Sequence, residues 1–135
     1  MAFDSERVQD AIRTAALAYP ESTEDRPWDH PAFKVRGKAF VFMGEHDDRL
    51  SLSMKLPESS EAALALPFCE PTGYGLGRHG WVSISIPVDQ DLPLDALIDW
   101  IDESYRAVAP KTVVKKQLGP DVPSRAVDAL EALAE

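Results

Sequence analysis

The spacing of apolar residues changes period several times along this chain, and each change predicts an element. From Ser5 to Ala18, Val8, Ile12 and Ala15/Ala16 recur at helical intervals, with Asp4 or Ser5 placed to cap the first turn. With Asp4 as the cap, Phe3 and Val8 stand where a hydrophobic staple forms. Pro20 ends this helix, and Glu21–Asp25 with Arg26 and Pro27 reads as an acidic loop. Residues 32–43 then switch to two β-rich runs joined at Gly37–Lys38. Gly-X suits the first central position of a type II′ turn, so the segment predicts a hairpin. That register pairs Arg36 with Ala39, Val35 with Phe40, Lys34 with Val41 and Phe33 with Phe42. Cross-strand partners share a face, so Phe33, Val35, Phe40 and Phe42 should point inward and Lys34 and Arg36 outward.

Gly44–Asp48 reads as a polar turn. After it Leu50, Leu52, Met54 and Leu56 alternate with Ser51, Ser53 and Lys55, the pattern of a half-buried antiparallel strand. Pro57 and the acids beside it open a short helix through Leu66, and residues 67–80 form a Pro/Gly-rich loop. Trp81–Ile86 alternates again as a strand. Over Pro93–Val108 the residues Leu94, Leu97, Ile98, Ile101, Tyr105 and Val108 make one apolar stripe, with Asp95, Asp99, Asp102 and Glu103 away from it. Pro110 stops that helix, a basic stretch Lys111–Lys116 follows, and Val127, Leu130 and Ala134 suggest a last short helix. Helices flanking a small antiparallel sheet of about four strands define an α+β domain. Residues 1–118 form it, and residues 119–135 are a helical C-terminal extension of the same domain.

Composition narrows the class. The chain has 135 residues, 44% hydrophobic and 27% charged, the balance of one ordinary globular domain. No stretch approaches the ~20 apolar residues of a membrane span, and no basic, then apolar leader opens the chain. Cys69 is the single cysteine, so no internal disulfide can form and a cytoplasmic location is expected. The formal net charge of −9 repels nucleic acid unless positive charge is gathered on one face.

Catalytic chemistry is hard to find. Gly75–Gly80 spells G-x-G-x-x-G, but a dinucleotide site needs a strand before it and a helix after it. Here the order is loop then strand, and the glycines serve a positive-φ turn. His30, His46 and His79 lie in separate loops without the spacing of metal ligands. Cys69 has no neighbour to activate it and reads as packing. Asp47–Asp48 suit a turn, and the acids of the long helix suit a solvated face. Trp28, Trp81 and Trp100 read first as packing aromatics, with base stacking as the alternative. No catalytic residue, cofactor or metal is expected.

What remains is a basic set: Lys34, Arg36, Lys38 and Lys55 from the first strands, Arg78 and His79 from the loop before Trp81, and Lys111, Lys115 and Lys116. The segments Asp29–Phe40, Leu52–Pro57, Gly77–Val82 and Glu103–Lys111 occur in an order and composition that resembles the MmcQ/YjbR-like family of small bacterial proteins. The likeness covers about residues 5–118. It implies a compact α+β domain of the double-wing type, described as a DNA-binding candidate, with no established enzymatic activity and no cofactor. Carried over position by position, it marks Lys34, Arg36, Lys38, Lys55, Arg78, His79, Trp81 and Lys111 as nucleic-acid-facing candidates. Here Gly80 separates His79 from Trp81, and Arg78 supplies almost all of that loop's charge.

Three readings follow. A non-enzymatic DNA-binding module would use the basic sheet face. A protein-interaction or regulatory domain, monomeric or weakly dimeric, would present the same residues to an acidic partner. A small-anion binder or enzyme using the Gly73–Gly80 loop would need a deep pocket lined by His79 and Arg78, with His30 as a further candidate.

Overall fold

The computed structural model describes residues 4–26, 30–73, 75–87 and 89–134. Helix α1 (Ser5–Leu17) starts at Asp4, whose carboxylate accepts from the backbone N–H groups of Glu6 and Arg7. It buries Val8, Ile12, Ala15 and Ala16, the stripe that the sequence spacing marks. Phe3, the other half of the expected staple, lies outside the described residues.

Six strands form one antiparallel sheet: β1 (Ser22–Asp25), β2 (Ala32–Val35), β3 (Lys38–His46), β4 (Arg49–Lys55), β5 (Cys69–Pro71) and β6 (Trp81–Pro87). Their order is β1-β2-β3-β4-β6-β5. The four central strands correspond to the expected ones, and two edge strands are added. β1 occupies the stretch read as an acidic loop. Its Ser-Thr-Glu-Asp sequence carries no apolar alternation, because an edge strand is held by backbone pairing to β2 rather than by side-chain burial.

The β2–β3 hairpin differs from expectation by one residue, and the difference matters. Val35 pairs with Lys38, so the turn residues are Arg36 and Gly37, both at positive φ (52° and 82°). This is the type I′ geometry, whose twist suits a two-residue hairpin. The register then shifts: Lys34 faces Ala39, but Phe33 faces Val41, leaving Phe40 as an extra residue in a β-bulge. Phe40 and Val41 are both buried on the inner face. Beyond the bulge the alternation is inverted, so Met43 is buried and Phe42 turns outward, 39% exposed. The inward Phe33/Phe42 pair expected from an unbulged hairpin is therefore replaced by Phe33/Val41. The next turn is tighter than expected too: β3 runs on to His46, and Asp47–Asp48 alone turn the chain at positive φ.

One sheet face is the core. Phe33, Val35, Phe40, Val41, Met43, Leu50, Leu52, Met54, Val82, Ile84 and Ile86 are buried there against α1 and helix α3 (Leu94–Val108). Each large side chain of this set contributes about 1.5–3 kcal/mol when fully buried. Tyr19, Phe40 and Tyr105 cluster at its centre, with ring centroids 4.6 to 6.2 Å apart and Phe40 edge-to-face with both tyrosines. Helix α3 buries Leu97, Trp100, Ile101, Ser104 and Tyr105. Trp100 is thus a packing aromatic of the core, as its residue type suggested.

Two acids of α3 expected in solvent are structural. Asp102 accepts from the Tyr19 hydroxyl (2.8 Å) and from Arg106 (2.7 Å). Glu103 accepts from the backbone N–H groups of Glu58 and Ser59 and from the Ser59 hydroxyl, tying the start of helix α2 (Ser60–Leu64) to α3. A solvated-face pattern cannot reveal that a neighbouring helix N-terminus will meet those carboxylates.

Ser104 locks α3 to the sheet. The bulge ends the β3–β4 ladder at Val41–Met54, leaving the Phe40 carbonyl and the Lys55 N–H without each other. The buried Ser104 hydroxyl accepts from Lys55 N–H (2.8 Å) and donates to Phe40 O (2.6 Å), closing the gap.

Helix α4 (Lys111–Val113) runs into a π-turn, Val114–Leu118. Helix α5 (Ser124–Glu131) packs on α1 and adds Ala126 and Leu130 to the same core. No described helix is long and apolar enough to cross a membrane.

Candidate functional site

The helices pack on the inner face of the sheet, and the central part of its outer face is open. Strand alternation decides what it presents. Register places Phe42, Ser53 and Ser83 in one row, Lys55 and Trp81 in the next, and Gly44, Ser51 and Ser85 on the other side. Phe42 and Trp81 contact each other, centroids 5.7 Å apart and planes tilted by 46°. The hydroxyls of Ser53, Ser83 and Thr72 form a chain with spacings of 3.2 and 2.9 Å. Arg49 donates to the Ser85 hydroxyl (2.7 Å) and carbonyl (3.0 Å), which fixes that end of the face.

Two depressions meet at Phe42. One, of about 380 Å³, is lined by Lys38, Ala39, Phe42, Lys55, Leu76, Trp81, Ala107 and Val108. The other, of about 530 Å³, is lined by His30, Phe42, Met43, Gly44, Glu45, His46, Ser51 and Ser53.

The basic candidates do not form one surface. Lys34 is paired with Asp25 of β1 (2.9 Å). Arg36 holds Glu21 through two hydrogen bonds of 2.6 and 2.9 Å, and Gln117 donates to the same carboxylate. The hydrogen bond from Arg36 keeps the Glu21 carboxyl below the usual range, and the one from Lys34 does the same for Asp25. The acidic stretch therefore neutralises the two cations the hairpin was expected to offer. Arg78 lies in a 3₁₀ turn, Leu76–His79, and its guanidinium folds over Gly75, where a Cβ would lie 3.1 Å from Nη2. His79 is exposed in the same turn. Lys111 lines a separate depression with Arg106 and Lys115. Lys38, Lys55 and Trp81 are the members of the expected set that come together, and among the described residues neither lysine has an acid partner.

Sequence reading missed Phe42 and Gly44 for this surface, and weighed His30 only as a metal ligand or as a wall of a pocket at Gly73–Gly80. The bulge hides the first. A glycine inside a run that continues as strand was the available signal for the other two, because it marks a close approach over the backbone.

The other chemistry is quiet. Gly75 and Gly80 bracket the 3₁₀ turn at positive φ (78° and 86°) and lead into β6, as expected. Residues 67–80 are not loop throughout, however: the edge strand β5 lies within them, held by backbone pairing to β6. Burial pushes the Cys69 thiol up to about 11, which keeps it in the weakly nucleophilic neutral form at neutral pH. No cluster of three or more His, Cys, Asp or Glu among the described residues could hold a metal ion.

These features define a small α+β domain with one packed and one open sheet face. The model of the YjbR family matches residues 17–107, and the chain belongs to that family. A solved structure, Deinococcus radiodurans protein DR2400, described as carrying domain DUF419, is similar at 25% identity with a TM-score of 0.62. That alignment covers 93% of this chain and 91% of the other. No curated protein matches.

Proposed function

We propose that this protein is a non-enzymatic nucleic-acid-binding module that works through the open face of its sheet. The observation that carries this reading is that Lys38 and Lys55 line one depression with the contacting rings of exposed Phe42 and half-buried Trp81. Cations meet phosphates and aromatic faces meet bases, which is how nucleic acids are held without a deep pocket. A protein of net charge −9 can do this only where its acids are turned away or already paired. Lys34 and Arg36 contribute little, because their charges are matched by Asp25 and Glu21.

A second reading rests on Leu76, Phe42 and Trp81 lining one depression: an acidic peptide with an apolar anchor would also suit it. Fluorescence anisotropy separates the two. Labelled single-stranded and duplex DNA are titrated at two salt concentrations against the protein and two charge-reversal variants. Lys38→Glu with Lys55→Glu should lower affinity more than tenfold, while Lys34→Glu with Arg36→Glu should change it far less. Undiminished affinity in the first variant would overturn the nucleic-acid reading for this face.

A further inference from the structure

Gly44 is a glycine that its backbone does not need. It lies inside β3, pairs with Ser51 in regular register, and is not among the glycines at positive φ. Glycine in a strand interior is less stable there than alanine, so its place here calls for a local reason. The reason is steric. A Cβ on Gly44 would stand 3.2 Å from Nδ1 of His30, whose ring lies over this part of the sheet. The missing side chain lets an imidazole settle beside the strand and form one wall of the cleft of about 530 Å³.

Phe42, two residues before Gly44 on the same strand face and 39% exposed, lines the same cleft with its ring. Ser51 and Ser53 line it with short hydroxyls. A volume of this size falls within the ~300–1,000 Å³ of small-ligand sites. Two rings and neutral hydroxyls suit a flat heteroaromatic group that carries both donors and acceptors. The far end of the cleft carries the His46–Asp47 pair and, cross-strand from His46, Arg49, while Lys38 and Lys55 lie beyond Phe42 at the other end.

Resting on the nucleic-acid reading above, we infer that the open face takes a single strand, with one base seated against His30 and Phe42. The next base stacks at Trp81, and the connecting phosphates lie at Lys38 and Lys55. An intact duplex keeps its base faces stacked on each other and presents none to Phe42 or the cleft. Its phosphates would meet few cations here: Lys55 and Arg49 on the outer face and Lys38 at its margin.

The experiment compares a mixed-sequence twelve-nucleotide strand with the same sequence as a duplex, by anisotropy at low salt. The proteins are the parent, Phe42→Ala, Gly44→Val and His30→Ala, each checked by circular dichroism. The single strand should bind the parent at least tenfold more tightly than the duplex. Gly44→Val and Phe42→Ala should each erase most of that preference, with His30→Ala as the variant least able to disturb the fold. If both forms bind alike and only lysine reversal weakens them, the base seat is wrong while the nucleic-acid reading stands. If neither form binds and a poly-glutamate peptide does, both fall. Affinity for the strand within twofold of parent in all three variants also overturns the seat.

Discussion

The hydroxyl of Ser104 does a task that a backbone usually does. It stands between Lys55 N–H and Phe40 O, fully buried, and replaces a ladder bond that the bulge has opened. Ser104→Ala would leave a donor and an acceptor unmatched in the interior, so a loss of about 1–3 kcal/mol is expected. Urea unfolding checks this, and an unshifted midpoint would mean the two groups find other partners. A neighbouring pair makes a second case. Burial raises the Tyr19 phenol well above its usual range, with the Asp102 carboxylate adding to the effect, and burial raises Tyr105 as well. A phenol raised on folding stabilises the fold below its unfolded value near 10 and loses that contribution as pH rises beyond it. Tyrosinate absorbance from these two residues should therefore appear only together with loss of the native circular dichroism. A smooth early rise of two tyrosinates would contradict the buried trio.

Among the elements, β1 depends most on charge. Asp25 meets Lys34, Glu21 meets Arg36, and Glu24 meets Arg13 at 2.8 Å. The Glu21 and Asp25 carboxyls are lowered by these partners. Their contribution is present above the ordinary carboxylate range and is lost as pH falls through the lowered folded values. Amide exchange measured from about pH 5 to pH 3 should show β1 opening before β3 and β4, starting below about pH 4. Simultaneous loss of all strands would show that β1 is not held by these pairs. The same strand shows where sequence reading stops. β4, β6, α1 and α3 were legible because each buries one face, which writes period two or period 3.6 into the apolar residues. β1 and β5 bury almost nothing, so no period marks them. The bulge at Phe40 was hidden for another reason: an extra residue leaves composition unchanged and inverts everything after it. Lys38, Lys55 and Trp81 could be marked from residue type alone, whereas Phe42, Gly44 and His30 became visible on this face only once the register was known.

For the whole molecule, charge is distributed by pairing. The acids that outnumber the cations 23 to 14 are partly spent on Lys34, Arg36, Arg13 and Arg106, and on the start of α2. The lysines beside Phe42 and Trp81 are left unmatched among the described residues. The two ends of the sheet have a different consequence. An unpaired edge is a template on which another copy could continue the sheet, the route to fibrous aggregates. Here one edge is four residues of Ser-Thr-Glu-Asp, and the other is three residues ending in Pro71, which has no N–H to give. Glu24→Val combined with Asp25→Val should produce concentration-dependent light scattering that the parent lacks, and equal scattering would show the edge charges to be idle. The short polar borders thus act as insulation: the sheet can leave one broad face bare to water without becoming a seed for its own polymerisation.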